Sequence, residues 1–113
     1  MTTHPRSDSP DTQRLADALA KAAHWLDTLA ATGPDLRPRA HIKAAHEAHE
    51  LAEHPCVEEA ADVLIALVGT AQHQHWSIAD LADAVSTKVA VNMERVWMQQ
   101  PDGTWQHDPE ATP

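Results

Sequence analysis

Large rings are scarce in this chain: it has no Phe and no Tyr, and four Trp. Glycine is scarce too, with three residues. Sandwiches and barrels lean on aromatic and β-branched strands joined by glycine-rich turns, so both shortages argue against them. A single cysteine, Cys56, excludes an internal disulfide and suits a reducing compartment. Basic residues number 8 against 17 acidic, a formal net charge of −9, which disfavours nucleic acid as a partner. A nucleotide held through a cation is compatible with that charge. No run reaches the ~20 apolar residues that a membrane span needs, and the first residues lack the apolar segment of a signal peptide. The expectation is a soluble, cytoplasmic protein that binds neither nucleic acid nor membrane.

What the chain has in quantity is alanine and leucine at helical spacing. Its 113 residues make one domain with a modest core, and the composition predicts an all-α fold. Residues 1–9 read as a flexible N-terminus, 10–99 as a helical domain and 100–113 as an irregular tail. Ser9-Pro10 starts helix 1 with a cap and a first-turn proline. Leu15, Leu19, Ala22, Leu26 and Leu29 then form an apolar stripe, ended by Gly33-Pro34. Helix 2 is expected from about Pro38 to Glu53, where Pro55 stops it. Helix 3 starts near Val57, and its stretch 63–68 is apolar all round, as suits the most buried element. Ser77-Ile78-Ala79-Asp80 resembles a capping box opening helix 4. Its stripe runs Ile78, Leu81, Val85 and then turns polar at Lys88, Asn92 and Arg95 without changing face.

The chemistry lies in two acid pairs. Residues i and i+3 share a helix face, so Glu47 and Glu50 point together on helix 2, and Glu59 and Asp62 on helix 3. A charged stripe is usually a solvated face, but the matched pair on the next helix argues otherwise. Four converging carboxylates need a cation. With no matching set of Cys or His ligands, that ion is hard and oxygen-loving, Mg²⁺ or Mn²⁺ rather than zinc. The nine histidines invite a di-iron reading, but that site requires Glu-x-x-His motifs, and helices 2 and 3 contain none. Lys88 and Arg95, with Asn92 as a neutral donor, suit phosphate oxygens. Metal-assisted hydrolysis of a phosphoanhydride follows.

The ordered set Lys43…Glu47-x-x-Glu50, Glu59-x-x-Asp62 and Lys88-x-x-x-Asn92-x-x-Arg95-x-Trp97 resembles the MazG-like, all-α nucleotide pyrophosphohydrolases. The likeness covers residues 42–97 and is greatest to the phage and bacterial dATP/dGTP diphosphohydrolase-like branch. It implies a four-helix bundle-like fold assembling as a dimer or dimer of dimers. It also implies cleavage of a (deoxy)nucleoside triphosphate, a purine dNTP in that branch, between the α and β phosphates. Glu47, Glu50, Glu59 and Asp62 would be metal ligands. Lys43, Lys88, Asn92 and Arg95 would touch phosphates or steady the acids. Many members carry another Glu before the first ligand, where this chain has His46, leaving His46 or a metal-bound hydroxide as the base. Two other readings stand beside this one: a non-catalytic helical module that binds nucleotide or metal, and a dUTP- or dCTP-directed hydrolase on the same scaffold. Trp25, Trp97 and the connector around Arg37 are the candidates for reading the base.

Overall fold

The computed structural model describes residues 9–110. The element order is α1 Pro10–Thr32, α2 Ala40–Glu53, α3 Val57–His73, α4 Ile78–Met93, β1 Trp97–Gln99 and β2 Trp105–His107. The chain divides into two compact units, one ending at Ile78 and the other beginning at Ala79. The expected loose start falls, apart from Ser9, outside the described residues.

In the first unit α3 packs along α2 and against α1. The Ser9 hydroxyl accepts the Thr12 backbone N–H at 3.2 Å, which caps α1 as its sequence predicts. Leu26 from α1, Ala40 from α2, and Ala66, Val68 and Ala71 from α3 form the buried apolar core. These residues are mostly small, so the helices can approach closely. A Cβ added at Gly69 would stand 3.1 Å from that of Ala40 and 3.6 Å from Leu26 Cδ1. α3 is buried on this side, while Leu64, Ile65 and Leu67 remain exposed within the chain. It is closed by a Schellman-type turn, in which Trp76 N–H donates to Ala71 O and His75 N–H to Gln72 O. His75 takes the left-handed conformation there, φ 63°, where glycine is usual.

Two polar ties fasten α1. Gln72 Nε2 on α3 donates to Ala23 O at 2.9 Å. Arg37, in the α1–α2 connector, donates from Nη1 to Asp27 Oδ1 at 2.8 Å.

In the second unit α4 ends at Met93, earlier than the polar stripe through Arg95 suggests. Glu94 and Arg95 close it with tight turns onto Val91 O and Asn92 O. The tail, expected to be irregular, instead begins with a hairpin. β1 and β2 pair antiparallel, Trp97 with His107 and Gln99 with Trp105. Asp102 Oδ1 accepts the N–H and the hydroxyl of Thr104, and Gly103 supplies the positive φ of 89° that the reversal needs.

Candidate metal centre

Antiparallel packing brings the acid pairs together. Ala40 at the start of α2 meets Gly69 late in α3, so Glu47 and Glu50, further along α2, meet the start of α3. One carboxylate oxygen from each of Glu47, Glu50 and Glu59 lies within 4.8 Å of the others. Mg²⁺ binds oxygen at about 2.0–2.1 Å, which puts opposite ligands about 4.2 Å apart. Adjacent ligands of such an ion lie about 3 Å apart, so the three oxygens would draw together to share one.

The environment of the oxygens fits that role. Glu47 is 5% exposed, an unusual position for a carboxylate. Its Oε1 accepts Lys43 Nζ at 2.8 Å, but its Oε2 is buried without a hydrogen-bond partner, as is Oε2 of Glu59. A buried acceptor left unpaired is costly, and an anionic one more so. Two of them in one carboxylate cluster form a donor set that a hard dication satisfies.

The electrostatics separate the pair on α2. Hydrogen bonding from Lys43 holds Glu47 below the ordinary glutamate range. Glu50 is pushed up, first by the charge of Glu47, then by its hydrogen bond with Glu47 and by burial, with Glu59 adding to the effect. Lys43 is raised by the same hydrogen bond to Glu47.

Asp62, expected as a fourth ligand, stands outside the close trio. It lines an adjoining cleft of about 200 Å³ between α1, α2 and α3, together with Lys43 and Glu47. The other end of that cleft is apolar, built from Trp25, Leu26, Leu36, Ala40 and Ile65. Trp25, about half exposed, lines this cleft. A larger groove of about 330 Å³ runs between α1 and α3, but its lining is apolar apart from Lys21, so it offers nothing to a polyphosphate. His46 lies exposed on α2 beside Glu47.

Lys88, Asn92 and Arg95 belong to the second unit. Lys88 is exposed on α4. Asn92 organises the helix end: Arg95 Nη1 donates to its side-chain oxygen at 3.3 Å, and Trp97 Nε1 to its carbonyl at 3.0 Å. Arg37 is already engaged by Asp35 and Asp27, which removes it from the residues free to read a base. The sequence reading passes over Leu36, Ala40 and Gly69. The isolated glycine in the apolar run of α3 is the available signal, since such a residue marks a close approach.

Two helices bring together a carboxylate trio, with Glu47 buried, Glu59 half-buried and Glu50 exposed, beside a largely apolar cleft, which defines a mostly helical protein with a candidate hard-metal centre. No protein-family model matches the chain. It is 37% identical over 99 residues to a dATP/dGTP diphosphohydrolase of Salmonella phage PMBT28, a match covering 85% of this chain and 32% of that protein. The chain thus spans about a third of the length of that curated relative. Among solved structures it is similar to the cyanophage S-2L MazG-like pyrophosphohydrolase bound to dGDP and three catalytic Mn²⁺ ions per active site. There the TM-score is 0.65 and the identity 26%, with 86% of this chain and 94% of the other covered. The chain thus resembles the MazG-like pyrophosphohydrolases in sequence and in fold.

Proposed function

We propose that this protein hydrolyses a deoxynucleoside triphosphate, a purine dNTP such as dGTP or dATP, between the α and β phosphates. The products are the monophosphate and pyrophosphate, and the reaction requires Mg²⁺ or Mn²⁺. The observation that carries this reading is the pair of buried, unpartnered oxygens on Glu47 and Glu59 within one carboxylate trio. The names of the two relatives, and the dGDP and Mn²⁺ bound in the solved one, support it.

Glu47, Glu50 and Glu59 would hold the metal, with Asp62 completing the set from the cleft. The bound ion supplies charge neutralisation at the phosphates and acidifies a water. Lys43, Lys88, Asn92 and Arg95 are the candidates for phosphate oxygens, since ammonium, guanidinium and amide groups donate to them directly. The apolar end of the cleft offers Trp25 and Leu36 to a base, which its polar end could not hold. His46, beside Glu47, would accept the proton of the attacking water. The apolar groove between α1 and α3, with exposed Leu15 and Leu64, is the surface we assign to self-association as a dimer or tetramer.

Pyrophosphate release from dGTP and dATP with Mn²⁺ tests the reading. Glu50→Gln and Asp62→Asn should each lower the rate about a hundredfold or more, with helical circular dichroism unchanged. Full activity in either variant would remove that residue from the metal set. Absence of pyrophosphate with every common dNTP would leave a binding module.

A further inference from the structure

Between Pro34 and Pro38 the α1–α2 connector is tied into a closed ring. Arg37 Nε donates to Asp35 Oδ1 at 2.8 Å and Nη2 to Asp35 Oδ2 at 3.1 Å, a forked pair. The Arg37 backbone N–H also donates to Asp35 Oδ1 at 3.1 Å. The remaining arm, Nη1, crosses to Asp27 on α1. The guanidinium side chain is 24% exposed, more enclosed than either partner. A single exposed ion pair does little, but here the forked geometry adds direction and three groups are linked. Prolines on both sides remove much of the connector's remaining freedom.

One residue lies between the tied positions: Leu36, which lines the cleft with Trp25 while staying 47% exposed. An unsupported leucine on a connector would collapse onto the core or swing away. Trp25 itself sits between Ala23 and Asp27, the two points at which α1 is fastened, one by Gln72 and the other by Arg37.

We propose that Leu36 is a specificity-determining residue of the cleft, and that Arg37 is its positioning residue, clamped by Asp35 and Asp27 and making no contact with phosphate. This rests on the nucleotide reading above and deepens it: Leu36 and Trp25 form an apolar wall that takes the base, while the acids and Lys43 serve the phosphates. An arginine near a polyphosphate site is ordinarily assigned to phosphate, and the hydrogen bonds on this guanidinium point the other way. Asp35 supports the clamp, because its hydrogen bonds from Arg37 hold it below the ordinary aspartate range.

The test separates base from phosphate. Wild type, Leu36→Ala, Arg37→Gln and Arg37→Lys are titrated, as the full chain with Mn²⁺, against α,β-methylene-dGTP and against inorganic tripolyphosphate. Leu36→Ala and Arg37→Gln should weaken the nucleotide analogue about tenfold, the scale of one leucine side chain lost from a pocket, and leave tripolyphosphate within about twofold. Arg37→Lys should not restore affinity, because it keeps the charge and loses the fork. Equal weakening of both ligands, rescue by lysine, or a wild type that binds the analogue no more tightly than tripolyphosphate would each overturn the proposal. If the selective loss appears but wild type releases no pyrophosphate from dGTP, the clamp stands and the hydrolase reading falls.

Discussion

Gly69 of α3 lies against Ala40 of α2 so closely that a Cβ there would stand 3.1 Å from its neighbour's. Ala40 is itself 4% exposed and fixed to the helix backbone, so it has little room to yield. This contact sets the α2–α3 spacing, and the same spacing determines whether Glu47 and Glu50 can reach Glu59. Gly69→Val should therefore cost about 1–3 kcal/mol of stability, the usual range for overpacking. It should also weaken Mn²⁺ binding, because the helices part along the line that carries the acids. A thermal melt and a Mn²⁺ titration of the same sample check both. Wild-type values in each would mean that the close approach is incidental.

Lys43 occupies one oxygen of the buried Glu47 as a metal ion would, at 2.8 Å. Its ammonium is largely exposed and its stem flexible, so it can leave when a stronger cation arrives. Lys43→Met should accordingly tighten Mn²⁺ binding by about two- to fivefold, the modest scale of an exposed ion pair. The same variant should raise KM for dGTP if the released ammonium then meets phosphate. Weaker Mn²⁺ binding in calorimetry would show instead that the lysine holds Glu47 in place for the ion.

How much of this was legible in the sequence follows from how local each signal is. The starts of α1, α3 and α4 were readable because caps and prolines act within one turn, as at Ser9-Pro10. The acid trio was readable because i, i+3 spacing and consecutive helices leave few alternatives, as Glu47, Glu50 and Glu59 show. Asp62 illustrates the limit, since shared spacing gives the face and not the depth along it. The hairpin was missed because three-residue strands carry too few residues to show alternation, and only Asp102-Gly103 marked the turn. The Arg37 ring was missed for a different reason: its Asp27 partner is a turn of α1 away from the connector, and only the folded chain brings them together.

Glu50 carries a pH signature with a definite sign. Its folded carboxyl titrates above the ordinary range because Glu47 and Glu59 are beside it. The metal-free fold thus binds this proton more tightly than the unfolded chain does. The associated stability is fully present below the unfolded pKa and is lost as pH rises through the raised folded value. Glu47 runs oppositely, since Lys43 lowers it; its contribution is present above the ordinary range and lost as pH falls through the folded value. Glu50→Gln should then match wild type in acid and melt higher than wild type at neutral pH in EDTA. With Mn²⁺ added the order should reverse, because wild type gains the ligand's binding energy and the variant does not. A variant less stable than wild type in EDTA at neutral pH would contradict the repulsion.

His46 directly precedes Glu47, and its exposure on α2 leaves the ring reachable by solvent. A base works only in its unprotonated form, so an imidazole base contributes on the alkaline side and is silent in acid. His46→Ala should therefore lower kcat on the alkaline plateau of the pH–rate profile by about 10²–10⁴-fold, the usual contribution of a positioned base. In acid the two profiles should converge. KM for dGTP should change little, since the ring's work falls in the chemical step. His46→Glu should recover rate and extend it to lower pH, because a carboxylate stays unprotonated there. A plateau unchanged by His46→Ala would take this side chain out of the mechanism, leaving the water's proton to a metal-bound hydroxide or to solvent.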